Sequence, residues 1–317
     1  MRHHAAIGLS LAGLLAAGLT FGVDAAPPRR GPQRGAVGTF TQVACTVTRL
    51  PSPSEVRTAI DGLYRTFISN GIPDHPVGPF PNAGNPHTIA AQRYSFRIPL
   101  TPSGPGKDLR MQPFGVAVNG VVFDPGAAEW WGDDPRSGWQ YEALSGAVGL
   151  GVDCNNAHVQ PGGAYHYHGM PEGLLKAGAA QMTLVGYAAD GYPIYGRYDH
   201  DDPRSATSPV RPMTSSYRLK AGARPSGPGG SYDGMFVEDY EYVAGLGDLD
   251  RCNGRTGETP DFGDTYHYVV TDTFPFIPRC YQASPDPSFE THRGGPGGPG
   301  GPGGRGGPPP GGRPPPR

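Results

Sequence analysis

Short runs of apolar and β-branched residues, separated by Asp-Gly or Asn-Gly dipeptides, dominate the middle of the chain. These dipeptides readily adopt the positive φ angles that two-residue hairpin turns require, so each one predicts a β-hairpin. The turns are Asp61-Gly62, Asn119-Gly120 and Asp190-Gly191. The strands that they join are predicted at 56–60 and 63–68, at 114–118 and 121–123, and at 184–189 and 192–195.

Other strand patterns are present, and helical patterns are few. Apolar and polar residues alternate over 94–98, as in a half-buried strand, and residues 265–271 are rich in strand-forming types. Only residues 139–148 and 171–177 have a pattern that allows two or three helical turns. The predicted fold class is mainly β: a hairpin-rich, sheet or sandwich-like domain with few short helices.

Composition supports this class and excludes one kind of partner. The 317 residues include 51 glycines and 38 prolines, which argues against a bundle of long helices. The formal net charge is −2 and only 17% of residues are charged. Because phosphate neutralisation needs a basic excess, the chain is not predicted to bind nucleic acid.

Both ends differ from the middle. Arg2 and the apolar run 5–21 indicate an export signal, with cleavage expected after Ala25. An uncleaved membrane anchor is the alternative. The run is at the short limit for a membrane span, and no later apolar run in the chain reaches that length. The far end, 294–317, contains only glycine, proline and arginine, which cannot form a core. We therefore expect a signal at 1–25, a flexible segment at 26–43, a domain at 44–285 and a disordered tail at 286–317.

The chain contains four cysteines, an even number that favours disulfides in a secreted or periplasmic protein. Three pairings are possible, and proximity favours Cys252 with Cys280 and Cys45 with Cys154. Metal ligation by cysteine is disfavoured because the chain has no CxxC pair.

A weak internal repeat relates residues of about 114–170 to residues of about 185–270. Each unit has Gly-x-Ala-x-(Asn/Asp)-Gly at its hairpin, then Asp-(x)-Cys-Asn, then Tyr-His-Tyr. If the two units pack about a pseudo-two-fold axis, their Tyr-His-Tyr segments face one another. That arrangement is expected to bring His267 towards His166 and His168.

The chain resembles the YHYH-domain proteins, named for the run Tyr165-His166-Tyr167-His168. The resemblance extends over residues of about 69–281 and includes the runs SNGIPDH at 69–75, NAHVQP at 156–161, DGYPIYG at 190–196 and LDRCNGR at 249–255. It implies an exported, β-rich domain whose biochemical role is unassigned.

Three histidines have a spacing that suits a metal. Residues two apart on a strand point to the same face about 7 Å from each other, so His166 and His168 can converge on one ion. His158 precedes a Pro-Gly-Gly turn and can fold back as a third ligand, a set that suits copper or zinc. Further candidate ligands are His267, His75, Asp153 and Asp190.

Two alternatives remain for these histidines. They can be buried polar links that bond to backbone carbonyls, or they can perform acid–base chemistry without a metal. The chain has neither a Gly-x-Ser-x-Gly elbow nor a His-Glu-x-x-His helix, so common serine hydrolases and zinc proteases lose support. Whether the protein is an enzyme stays open at this point.

All three tryptophans lie close together, which gives a second functional hypothesis. Trp130, Trp131, Trp139 and Tyr141 surround acidic residues, so an exposed loop here would bind a glycan, such as a cell-wall sugar, or a protein partner. The alternative is that these aromatic side chains fill the core.

Overall fold

In the computed structural model, residues 41–292 form a mainly β domain, as predicted, and the structure describes these residues. The expected signal and most of the expected tail lie outside the described residues. The seventeen strands are β1 Val56–Asp61, β2 Tyr64–Ser69, β3 Tyr94–Pro99, β4 Gly115–Ala117, β5 Val122–Phe123, β6 Gly126–Trp130, β7 Gln140–Glu142, β8 Ala157–Val159, β9 Tyr165–Tyr167, β10 Leu184–Ala188, β11 Pro193–Tyr195, β12 Tyr198–His200, β13 Val210–Pro212, β14 Tyr217–Leu219, β15 Tyr240–Tyr242, β16 Gly254–Thr259 and β17 Gly263–Val269. Short 3₁₀ turns occupy Trp131–Asp133, Pro135–Ser137, Glu172–Leu174, Val237–Asp239 and Pro287–His292.

The central element is an eight-stranded sheet with the order β16-β17-β11-β10-β4-β5-β9-β8. The pairs β5–β9 and β11–β17 are parallel, and the other neighbours in this sheet run antiparallel. Consequently β9 and β17, which hold the two Tyr-His-Tyr segments, lie on opposite sides of the central β10–β4 pair.

All three predicted hairpins are present. Gly62, Gly120 and Gly191 follow their Asp or Asn with positive φ angles of 58°, 80° and 105°. Gly191 has a second constraint, since a Cβ there would lie 2.5 Å from the Pro99 carbonyl oxygen. The first hairpin and β3 form a separate three-stranded sheet with the order β1-β2-β3.

The two larger sheets share one hydrophobic core. Along β3, Tyr94, Phe96 and Ile98 are buried while the residues between them are exposed, as their alternation predicts. On β2, Phe67 lies 5.9 Å from Tyr187 of the large sheet, measured between ring centroids. Burial of these aromatic faces is the main force that holds the sheets together.

Residues on either side of the expected domain, 44–285, also make contacts with it. The amide of Val43 donates to the Val152 carbonyl at 2.9 Å. At the other end, Phe289 is fully buried and stacks on Phe96 with ring centroids 4.3 Å apart. An apolar side chain beyond the expected boundary at 285 therefore contributes to the core.

Both disulfides have the connectivity that proximity favoured. Cys45 is bonded to Cys154 and Cys252 to Cys280, and no described cysteine is free. The first bond ties the N-terminal segment to the loop before β8. Disulfides of this kind are typical of oxidising compartments.

The two predicted helical segments are wrong. Residues 139–148 contain β7 and then turns, in which the Ser145 hydroxyl donates to the Glu142 carbonyl and Gly146 takes a φ of 75°. Residues 171–177 contain one 3₁₀ turn that ends at Leu175, whose backbone is extended. Side-chain to backbone bonds and left-handed glycine override a weak helical pattern here.

No helix in residues 41–292 is long and apolar enough to cross a membrane.

Candidate metal centre

The three histidines of the 158–168 segment are assembled by one tight hairpin at the edge of the large sheet. Strand β8 pairs with β9 in a register that sets His158 directly opposite His166. The connecting turn closes when the Gly163 amide donates to the Gln160 carbonyl at 2.8 Å. Gly163 has a φ of 82°, and a Cβ on it would lie 2.5 Å from the Cβ of Ala90. Glycine is therefore required for this turn by backbone angle and by space.

Alternation along β9 sends tyrosines and histidines to opposite faces. The Tyr165 hydroxyl donates to Asp153 at 2.8 Å. The Tyr167 hydroxyl lies 2.7 Å from Nε2 of His75 and accepts from the Asn119 amide at 2.9 Å. These bonds hold the strand from behind, so His166 and the following His168 are presented together on the other face.

On that face the three imidazoles surround a single point. One ring nitrogen from each of His158, His166 and His168 lies within 4.8 Å of the other two. The ring centroids are 4.5, 4.8 and 4.6 Å apart, and the rings are inclined at 65–69° to one another. A propeller of three rings at nearly equal spacing is the arrangement that three-histidine metal centres use.

Backbone carbonyls orient two of these rings. Nδ1 of His158 lies 3.0 Å from the Leu150 carbonyl, and Nδ1 of His166 lies 3.2 Å from the Ala164 carbonyl. A carbonyl accepts a hydrogen bond only from a protonated nitrogen, so these contacts place the proton on Nδ1. The amide nitrogen of Asn85 also lies near Nδ1 of His158, at 3.3 Å, but the carbonyl contact is shorter. The Nε2 lone pairs are then left facing inward. Metal-bound histidines are oriented in the same way.

The contact between His166 and His168 is the least satisfied part of the cluster. Their Nε2 atoms lie 2.9 Å apart. If His168 protonates Nε2 to donate to His166, its buried Nδ1 lone pair has no hydrogen-bond partner among the described residues. If it protonates Nδ1 instead, the ring has the Pro125 carbonyl as a partner, but two Nε2 lone pairs then face each other. Either neutral tautomer therefore leaves a buried nitrogen unsatisfied, and a cation between the rings would remove that cost.

Burial keeps these rings neutral. It lowers the pKa of His158 to about 4 and, with repulsion from the neighbouring rings, lowers the pKa values of His166 and His168 well below the ordinary range. An added proton is thus disfavoured at neutral pH, whereas neutral imidazole is the form that binds a metal.

A cavity of about 250 Å³ opens beside the rings. Its wall includes the three histidines, with His87, Glu129 and Asp124 as further polar groups. Desolvation by burial raises the pKa of Asp124 to about 6. The cavity leaves room at the cluster for water or a small ligand.

The structure does not bring His75 or Asp153 to this cluster. Both lie behind β9, where His75 also contacts its own following carbonyl, at Pro76, and Asp153 accepts from the Gly78 amide at 2.9 Å. Their polar atoms hold the tyrosines and the surrounding loops. They position the strand and do not face the three imidazoles.

His267 and Asp190 lie in the other half of the sheet. Nε2 of His267 lies 2.8 Å from Asp199, and Asp190 accepts from the Tyr268 hydroxyl at 2.6 Å. The expectation that the two Tyr-His-Tyr segments face each other is wrong, because four strands separate β17 from β9. At about 4.8 Å per strand step, His267 is too distant to share an ion with His166.

The tryptophan-rich segment is divided between core and surface. Trp139 is 7% exposed and lies edge-on to Phe236 at 5.7 Å, and Tyr141 lies against the same ring at 4.6 Å. Trp131 is 39% exposed, and Trp130 on β6 is partly buried. Two of the four aromatic residues therefore serve as packing.

Asn85 is a site residue that the sequence analysis missed. Its side-chain amide donates to the Leu150 carbonyl at 3.2 Å and to the Val159 carbonyl at 2.9 Å. The first of these carbonyls is the one that orients His158, so Asn85 fixes the loop behind that ring. The only signal in the sequence is the Asn-Pro dipeptide at 85–86, which indicates a turn but not a site.

Comparison with known proteins identifies one family. A family model described as YHYH protein matches residues 95–283, more than half of the chain. No curated protein matches the chain. No solved structure matches it either.

Proposed function

The chain belongs to the YHYH protein family, and we propose that it is an exported member that binds one copper or zinc ion through His158, His166 and His168. The observation that carries this proposal is the 2.9 Å contact between the buried Nε2 atoms of His166 and His168, where either neutral tautomer of His168 leaves one buried imidazole nitrogen without a hydrogen bond.

The donor set fits either metal. For Zn–N bonds of about 2.05 Å at tetrahedral angles, ligand nitrogens are about 3.3 Å apart. The present nitrogens lie between 2.9 and 4.8 Å apart, so small ring rotations would equalise them around an ion. Imidazole is a common ligand of both zinc and copper and, unlike thiolate, survives oxidising conditions.

The chain's own groups assign roles around such an ion. The backbone carbonyls of Leu150 and Ala164 accept hydrogen bonds from the Nδ1 atoms of His158 and His166 and keep the Nε2 lone pairs directed inward. The adjoining cavity supplies a fourth position for water or substrate. A bound ion would act there as a Lewis acid, and copper would add redox chemistry, so the metal's identity decides which substrates to test.

Export is supported by two independent features. The two disulfides suit an oxidising compartment, and the N-terminal sequence has the charge and apolar run of a signal peptide. A histidine-only site is compatible with that compartment because no thiol is needed.

The test is elemental analysis of the mature, untagged protein beside the double variant His166→Ala/His168→Ala. We expect about one copper or zinc per wild-type chain and none in the folded variant. His267→Gln is the matched control, since it removes a buried histidine of the same motif in the other half and should retain the metal. Wild-type protein that folds without metal, and takes up neither ion on dialysis, would refute the proposal.

A glycan- or partner-binding surface around the tryptophan segment is the second candidate. Trp131 is the observation that favours it, because this large aromatic side chain is exposed close to Asp133 and Asp134. Trp131→Ala should then abolish retention on cell-wall glycans while Tyr141→Ala, which alters packing, should not. Equal retention of the wild type and Trp131→Ala would reject this surface.

A further inference from the structure

The large sheet has the same strand plan on both sides of its centre. From the central pair outwards, one side runs β4, β5, β9, β8 and the other runs β10, β11, β17, β16. Each side consists of an antiparallel hairpin, a parallel step and a second antiparallel hairpin. The register of the parallel step is also the same, since Phe123 pairs with Tyr167 and Ile194 pairs with Tyr268.

The side-chain hydrogen bonds that support β9 in one half and β17 in the other correspond as well. Tyr165 donates to Asp153 and Tyr266 donates to Asp250, at 2.8 and 3.0 Å. Each of these aspartates also accepts a hydrogen bond from the backbone amide two residues later in the chain. The donor is Asn155 in one half and Cys252 in the other. Polar partners, distances and chain order thus agree between the halves.

This correspondence defines which residues stand where the three histidines stand. His267 is equivalent to His166, because its Nδ1 lies 3.1 Å from the carbonyl two residues earlier in the chain, the contact that His166 makes at 3.2 Å. Arg255 pairs opposite His267 as His158 pairs opposite His166. Val269 follows the second Tyr-His-Tyr as His168 follows the first.

In the second half, the guanidinium of Arg255 places a permanent positive charge beside the histidine. Nε of Arg255 donates to Asp199 at 2.6 Å, and the same carboxylate oxygen lies 2.8 Å from Nε2 of His267. Arg255 also donates to the His200 carbonyl. Asp199 and His267 are fully buried, so the guanidinium lies on the inward-facing nitrogen side of the histidine, where an ion would lie in the first half.

We propose that the second half contains a latent metal site, in which the guanidinium of Arg255 replaces the ion and Val269 replaces the third imidazole. This inference rests on the proposed function of the first half. It assigns a ligand class to the second site: with histidine at 255 and 269, His267 and Asp199 complete a set of three imidazoles and one carboxylate that suits a divalent transition ion.

The test is the variant Arg255→His/Val269→His, purified and titrated with zinc or copper beside the wild type. We expect one more metal equivalent per chain than the wild type binds. Arg255→Gln/Val269→His is the matched control, because it also removes the guanidinium but supplies one imidazole fewer, and its affinity for the extra ion should be at least tenfold weaker. A folded variant with no gain over the wild type overturns the inference.

The wild-type value separates this inference from the proposed function. No metal on the wild type and one on the variant would refute the proposed function and support the latent site. One metal on each would do the reverse.

A reciprocal variant decides the case if Arg255→His/Val269→His does not fold. His158→Arg/His168→Val/Ala128→Asp gives the first half the side chains of the second. Ala128 is the ninth residue after Asn119, as Asp199 is the ninth after Asp190. Unlike the buried Asp199 it is exposed, and it lies in the wall of the cavity beside the histidines. We expect this protein to fold without metal and to keep its melting temperature in a chelator. Failure to fold, or a melting temperature that still depends on metal, would overturn the equivalence.

Discussion

Acid should destabilise the metal-free protein through His158, and the structure sets the size of this effect. Burial lowers the pKa of His158 from 6.5 to about 4 in the folded state. The unfolded chain therefore binds one more proton than the folded chain between these pH values, and stability falls as pH falls. A difference of about 2.5 pKa units corresponds to about 3 kcal/mol, fully present above pH 6.5 and lost by pH 4.

The total pH profile cannot be used to measure this effect, because buried carboxylates oppose it. Burial raises the pKa values of Asp124 and Asp190 to about 6. Each of these groups stabilises the folded state below pH 4 and loses that contribution as pH rises through 6. At about 3 kcal/mol each, the two aspartates together outweigh the contribution of His158 to the profile.

The assay is therefore a comparison with His158→Gln, whose amide can still donate to the Leu150 carbonyl but does not titrate. Guanidinium unfolding of both proteins in a chelator, followed by intrinsic fluorescence, gives the difference in unfolding free energy at each pH. We expect the advantage of the wild type to shrink by about 3 kcal/mol between pH 7 and pH 4. A difference that is independent of pH would show that His158 is not buried in its neutral form, and would refute the reasoning.

Three further predictions use the same denaturation assay. Replacing Cys45 and Cys154 by serine opens a loop of 109 residues and should cost about 5 kcal/mol, whereas opening the 28-residue loop of Cys252 and Cys280 should cost about 3.5 kcal/mol; the reverse order would contradict the loop-entropy argument. Tyr167→Phe leaves His75 and Asn119 without their shared hydroxyl and should cost about 1–3 kcal/mol, and no loss would show that water replaces it. Phe289→Ala should cost about 3–5 kcal/mol, and an unchanged midpoint would show that Phe289 does not contribute to the core.

The hairpins could be predicted because the information for them is local. An Asn or Asp followed by glycine adopts the turn without help from the rest of the chain, and β3 shows its buried face through simple alternation. The grouping of His158, His166 and His168 is also local, since the strand period and one glycine turn determine it. The two helical predictions failed partly for the opposite reason, because side chains from elsewhere in the chain also bind the backbone of those segments. Glu238 accepts from the Gln140 amide at 2.8 Å, and Asn155 accepts from the Gly173 amide at 2.8 Å.

The position of His267 could not be read from the sequence, because it depends on strand order. Parallel pairing of β5 with β9 and of β11 with β17 joins segments that are far apart in the chain, and no local pattern records which strands become neighbours. The sequence repeat suggested two related units, and symmetry alone allowed their Tyr-His-Tyr strands to face each other. The sheet instead joins the units through β4 and β10, so these strands are kept far apart.

The two halves of the large sheet provide different partners for the Nε2 atom of a buried histidine. In each half, a buried imidazole presents Nε2 on one face of the sheet while a backbone carbonyl holds its Nδ1. That nitrogen needs a hydrogen-bond or metal partner. In the second half the partner is the carboxylate of Asp199, whose charge is balanced by the guanidinium of Arg255. The first half has two more imidazoles. Within the described residues, no arginine or lysine side chain forms a hydrogen bond with any of the three rings. Since burial disfavours a proton there, we propose that a bound metal ion is the cation that completes this half of the fold.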